Sequence, residues 1–331
     1  MNVSLHKIST KNMLNRRILR IKAFKVLYSS VLSGNMSLAQ AEAQLDISCE
    51  AARDLYVYML GIVSPLTAIA RERIEAARTK FNPTDEERNP NMKFADNALA
   101  RLLDEDVDFQ KLFNKKKFSW SQYDIFLKKV MTSVASKEYF AEYMDSTERS
   151  LKEDCRLFIR IFEEEFIDSE DLEKILEEKS LYWNDDLGYS LTWCCKTFKS
   201  LAKGERWSIY PLYQSEMLDG DGVESDKLFV RKLLQSSFAG YDKYSSMVAE
   251  SVSGWEKERL FSTDVVLIAM GLAEAVTFPT IPVKVTMNEY VEISKFYGTP
   301  KSRSFVNGLL DRLMQVLANE GHICKEGKGL L

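Results

Sequence analysis

The segment from Val265 to Phe278, "VVLIAMGLAEAVTF", carries a single charged residue in 14 positions. It is longer than an ordinary strand of about 5–6 residues and shorter than the about 20 needed for a helix to span a bilayer. Apolar side chains fall on every side of a helix drawn through it, so the segment predicts a helix enclosed by others. A chain containing such a helix has to supply amphipathic partners around it. The remainder of the 331 residues can do so: 14 glycines and 7 prolines leave long stretches free of both, unlike the turn-rich sequences of sandwiches and barrels. The expectation is an all-α fold.

The one charge in that helix is Glu274. A carboxylate left buried and unpaired is strongly unfavourable, so Glu274 has to reach water, an internal cation or a partner. The pattern alone leaves all three open.

Punctuation is clearest around this segment. Pro279 and Pro282 end the central helix, and Thr286 with Glu289 forms a capping-box pattern for the next. Tyr297-Gly298 closes that helix, and Thr299-Pro300 opens a final one reaching about Asn319. Upstream, "DKLFVRKLLQSSFAGYDKYSSMVAESVSGW" reads as helix, glycine turn and helix. At the other end, Ile18, Ile21, Phe24, Tyr28 and Val31 have helical spacing up to Ser33-Gly34-Asn35. Helices over Leu38 to Leu45 and Cys49 to Phe81 follow, the second with an interior Pro65 that predicts a kink. From Asn82, "NPTDEERNPNMKF" has the chemistry of a loop, and residues 81 to 220 sum to −9. Helical patterns recur there until "YPLYQSEMLDGDG", and Trp120, Trp183 and Trp193 offer core material. The expected organisation is therefore an N-terminal helical subdomain at 1–80, an inserted acidic helical domain at 81–223 and a C-terminal helical subdomain at 224–331.

Charge is distributed unevenly. The first acidic residue is Glu42, so residues 1–41 carry +7, and the rest of a chain with net charge −4 carries −11. Five of the early bases, Arg16, Arg17, Arg20, Lys22 and Lys25, lie in "NRRILRIKAFKVLY". Helix geometry aligns Arg16 with Arg20, and such residues gain affinity for a polyanion by releasing its counterions. A solvated basic face accounts for the same pattern. A second cluster, Lys301, Ser302 and Arg303, opens the final helix, where backbone amides also favour phosphate. Phe305, one turn on, reads as core or as a stacking surface for an unpaired base.

Other chemistry is sparsely provided for. His6 and His322 lack evident catalytic partners, and there is no glycine-rich phosphate loop or nucleophile elbow. Cys194-Cys195 reads as buried core and Asp185-Asp186 as a solvated turn. The odd count of five cysteines argues against a secreted disulfide framework. With no signal-peptide pattern and no apolar run long enough for a membrane span, the expectation is a cytoplasmic protein without membrane attachment, cofactor, metal or enzymatic activity.

Three stretches together resemble the NusB family of transcription antitermination factors. "RRILRIKAFKVLYS" is similar to its N-terminal arginine-rich motif, and "ERLFSTDVVLIAMGLAE" at 258–274 to one of its helices. "IPVKVTMNEYVEISKFYGTPKSRSFVNGLLDRL" at 281–313 resembles its C-terminal signature, and the likeness covers roughly 1–80 and 224–320. The resemblance implies two helical subdomains, binding to boxA RNA of ribosomal RNA leader transcripts, and a complex with the ribosomal protein NusE, RNA polymerase and other Nus factors. It places Arg16, Arg17 and Arg20 on the RNA-binding stretch and Lys301, Ser302, Arg303 and Phe305 on a turn that meets RNA. Glu274 is placed at the NusE-facing surface. Two departures are the insert and Ile21, where many members have an acid. Alternatives are an RNA-binding module like the NusB-like domain of ribosomal RNA cytosine methyltransferases, or a helical interaction scaffold without RNA.

Overall fold

The computed structural model describes residues 13–213, 226–252 and 262–330, and among these there is no strand. Two compact units divide the described chain: one spans 50–210, the other joins 13–49 to 211–330.

The second unit holds the segment on which the sequence turns. Its helices are α1 (Arg16–Ser33), the start of α2 (Leu38–Leu60), α12 (Asp226–Ser251), α13 (Ser262–Thr277), α14 (Val283–Tyr297) and α15 (Ser302–Asn319). α13 is the enclosed helix: it packs against α1, α12, α14 and α15, and Val266 to Ala275 are all buried. At Gly271 an added Cβ would lie 2.8 Å from Leu310 of α15 and 3.3 Å from Tyr290 of α14, so the bare backbone sets how closely these helices approach. α1 begins where Asn15 accepts a bond from the Ile18 amide at 3.0 Å and ends at Gly34, whose φ of 67° suits glycine. Ser37 and Gln40 cap α2 reciprocally through the Gln40 and Ser37 amides.

Three local expectations are corrected. The "glycine turn" in α12 is continuous helix, because Gly240 makes room for the Tyr244 ring one turn on, which would sit 2.6 Å from an added Cβ. Thr286 does not cap α14, which starts after Pro282; it is buried in the second turn and donates to Glu274. α2 runs unbroken through 46–48 to Leu60, and α3 (Val63–Arg78) follows as a separate helix. The break falls at Gly61, where a Cβ would meet the Phe113 ring at 2.2 Å. Pro65 then lies in the first turn of α3, where a missing amide costs nothing.

The unit over 50–210 contains the end of α2, α3, α4 (Asp85–Arg88), α5 (Ala98–Glu105), α6 (Val107–Lys115), α7 (Asp124–Ala135), α8 (Glu138–Asp145), α9 (Leu151–Ile161), α10 (Glu170–Lys179) and α11 (Leu187–Leu201). Aromatic packing dominates its core. Tyr58 stacks on Trp120 at 4.3 Å and accepts from its indole through the backbone carbonyl, and Trp183, Trp193, Phe94, Phe158 and Phe198 are buried as well. Asp154 of α9 accepts from the first amide of α5 at 2.6 Å, tying distant parts of this unit together. The unit boundary falls at residue 50, whereas the sequence pattern sets the insert at 81–223. The difference is the stretch from Glu50 to Arg78: Leu66 and Ile69 are buried, and α3 packs on α5 and α7.

Cys194 and Cys195 are buried in α11, burial pushing the Cys194 thiol well above its ordinary range and Cys195 up to about 12. Asp185 occupies a left-handed turn position with φ 57°, but Asp186 is buried rather than solvated. No helix among the described residues is long and apolar enough to cross a membrane.

Candidate nucleic-acid interface

Helical periodicity separates the bases of α1 into two groups. Arg20 shares the buried side with Phe24 and Leu27, four and seven positions on, while Arg17 faces outward. Arg20 is only 3% exposed and makes a two-pronged ion pair with Glu274, 0% exposed, at 2.7 Å for each contact. The carboxylate also accepts from Thr286 at 2.9 Å and Tyr290 at 3.1 Å, so its hydrogen-bonding positions are filled from within the unit. Burial works against the Arg20 charge, yet the coulombic and hydrogen-bonding contribution of Glu274 raises its pKa overall. Burial lifts the Tyr290 hydroxyl well above its usual range, with Glu274 adding to the effect.

This arrangement relocates several residues expected at a surface. Glu274 has met an internal cation, so it does not present its carboxylate to a partner. Arg20 is committed to that pair, and Lys22 is also buried. Ser302 is buried too: its hydroxyl donates to Asp264 of α13 at 2.7 Å and accepts from the Thr299 amide at 2.8 Å, fixing the start of α15 to the core.

The outward bases remain as a surface. Arg17, 49% exposed, is bound two-pronged by Glu289 of α14 at 2.7 and 2.8 Å, and this hydrogen bonding raises its pKa. Arg16 lies 4.9 Å over the Phe229 ring and 3.5 Å from Asp226, and Lys25 lies 5.7 Å from the Tyr297 ring. Lys301 and Arg303 are exposed at the start of α15, with Phe305 half-buried behind them. Arg17 reaches α14 through Glu289, and the helix that Lys301 and Arg303 open packs on α14. The Glu292 carboxyl is held below its ordinary range by Lys295 above all, and both Arg17 and Arg303 contribute. Beside Arg17 an open groove of about 600 Å³ includes Arg16, Arg20 and Lys328 in its lining, with Glu289 as its acid.

Sequence reasoning missed Glu289 and Glu292 as neighbours of the arginines, and Lys328 as a groove base. Glu289 and Glu292 stand three apart on one helix. That spacing marks a shared face, but nothing in the sequence brings α1 to it.

The fold and site define a helical domain whose basic first helix is locked over an enclosed helix by an internal ion pair and turns its remaining arginines outward. Residues 200–315 match the NusB family. Three relatives carry the name transcription antitermination protein NusB. That of Salinibacter ruber is 29% identical over 134 residues, 36% of this chain and 84% of the relative. That of Chloroherpeton thalassium is 33% identical over 105 residues, 32% of this chain and 50% of the relative. That of Alkaliphilus oremlandii is 24% identical over 102 residues, 31% of this chain and 74% of the relative. No solved structure matches. The NusB-family match is therefore to residues 200–315 of this chain, which hold α12 to α14 and most of α15.

Proposed function

We propose that the protein is a transcription antitermination factor that binds boxA-type RNA of ribosomal RNA leader transcripts together with NusE, within an elongation complex of RNA polymerase and other Nus factors. The observation that carries this reading is the outward Arg17 of α1, held by Glu289 of α14, together with the exposed Lys301 and Arg303 that open α15, the helix packed on α14. Exposed arginines so placed suit a phosphate backbone, since Arg meets phosphate oxygens in two-pronged fashion. Phe305, half-exposed one turn beyond Lys301, supplies an aromatic edge for an unpaired base. Arg20 and Glu274 serve as positioning residues in this scheme: their pair fixes α1 against α13 and so aims Arg17.

Titration of boxA RNA with the full chain, with and without NusE, tests it. Arg17→Ala with Arg303→Ala should weaken binding and reduce the slope of log affinity against log salt by about 1.4, at about 0.7 per lost single-strand phosphate contact. Equal affinity and equal slope in the double variant remove this surface from the RNA site. An absence of boxA binding by the unaltered chain, with NusE present, overturns the reading as a whole.

A further inference from the structure

The unit over 50–210 carries a groove with the opposite charge. It measures about 400 Å³ and runs between α3, α6 and α7, with Phe109, Phe113, Phe118 and Trp120 in its lining. Glu72 on α3, Asp104 on α5 and Asp124 on α7 also line it, and no lysine or arginine does. Lys128 pairs with Asp124 at 2.6 Å from outside the lining, and Asp104 accepts from the Ser64 hydroxyl at 2.7 Å. The groove is a fixed feature of the packing: Phe113 sits over Gly61, with no room for even a methyl group, and the Trp120 indole is tied to Tyr58.

We propose that this groove docks a basic polypeptide segment, which lays one aliphatic or aromatic side chain on the part-exposed Phe113 and Phe118 rings, backed by the buried Phe109 and Trp120, and sets flanking lysines or arginines against Glu72 and Asp104. Three features select this occupant. The aromatic lining favours an apolar side chain, and ring faces also attract cations. The acidic rim repels nucleic acid and acidic peptides. Its carboxylates are on three separate helices. A chain bearing several cations can meet them together, whereas one small ammonium ion cannot. The inference is independent of RNA binding, because every residue it uses lies in the unit outside the basic surface.

The test uses the full chain and a blocked pentapeptide with leucine between two lysines on each side, followed by calorimetry and by tryptophan fluorescence at low and high salt. Ala68 is exposed on α3 in the groove lining, so Ala68→Phe fills the space without disturbing the core. The expected results are binding to the wild type, its loss in Ala68→Phe, and about tenfold weakening in Glu72→Gln with Asp104→Asn at low salt. Replacing the peptide leucine with serine should abolish binding. Unchanged binding in Ala68→Phe, equal binding of the serine peptide, or no binding at all would overturn the proposal. So would phenethylammonium binding with the same rim dependence when the peptide fails, which would assign the groove to a small organic cation.

Discussion

Glu274→Gln preserves side-chain shape while removing the charge that holds Arg20. The wild-type carboxylate accepts two bonds from Arg20 at 2.7 Å each, one from Thr286 at 2.9 Å and one from Tyr290 at 3.1 Å. An amide offers one oxygen to these donors and turns its own N–H groups toward the others. Arg20, 3% exposed, is then a buried cation whose nearest remaining acid is the part-exposed Glu289, 3.8 Å away. Removing one partner of such a pair costs about 3–5 kcal/mol. The Arg17–Glu289 pair serves as a comparison: it has the same two-pronged geometry, but its arginine is 49% and its carboxylate 18% exposed, and Glu289 reaches Arg20 only at 3.8 Å. Solvent screening lowers the expected cost of Glu289→Gln to about 0–1 kcal/mol.

Hydrogen exchange of the α13 amides is the suitable assay, because Trp120, Trp183, Trp193 and Trp207 all lie within 50–210 and fluorescence reports mainly on that unit. A loss of about 3–5 kcal/mol accelerates exchange through opening of this core roughly a hundred- to several-thousandfold. Arg20→Met with Glu274→Leu should bring the rate back toward wild type, since an apolar pair carries no desolvation penalty. Acceleration below tenfold in Glu274→Gln, or an equal effect of Glu289→Gln, would refute the claim that burial decides the strength of these two pairs.

Glu289→Gln should also strengthen RNA binding, because it frees Arg17 from its intramolecular carboxylate; unchanged RNA affinity in a filter-binding titration would show that Glu289 does not compete with phosphate. Asp264 gives a pH signature. Burial raises its pKa, only partly opposed by Ser302, so the folded state binds the proton more tightly than the unfolded state. Its contribution is fully present at pH below its ordinary unfolded range and falls as pH rises through the raised folded pKa. Urea midpoints across acidic pH should show that decline in wild type and a flatter profile in Asp264→Asn. Replacing 81–223 with a short linker should lower stability markedly, because Leu66 and Ile69 of α3 lose α5 and α7 as cover, at about 1.5–3 kcal/mol for each side chain fully re-exposed. A thermal melt as high as the full chain's would instead show that α3 is covered without those helices.

Helical class and the enclosed α13 were legible in the sequence because both follow from short-range pattern: few breakers, and one long segment with apolar residues on all faces. The stop of α1 was legible for the same reason, since Gly34 sits where a left-handed residue is needed. Glycines that serve packing were not. Gly240 and Gly61 look alike as helix breakers, yet one lies inside α12 beneath Tyr244 and the other ends α2 beneath Phe113, which is 52 positions away in sequence. A local signal cannot distinguish a ring from the next turn from a ring on another helix.

The site was legible as a set of residue types but not as a division of labour. Arg20 and Glu274 are separated by 254 positions, so periodicity could identify each as unusual without joining them. A clue did exist: Arg20 stands in register with the buried Phe24 and Leu27, while Glu274 is the sole charge in an apolar helix. A base on the inner face of one helix and an acid inside another satisfy each other's electrostatic requirement. Neither can remain charged in the core alone. Considering the two together would have assigned Arg20 to the interior, leaving Arg17 and Arg16 as the arginines of α1 whose charge can act outside it. The same reasoning separates Ser302 from Lys301 and Arg303: a hydroxyl satisfied by Asp264 and the Thr299 amide positions a helix start, and the charges beside it are the ones solvent and phosphate can reach.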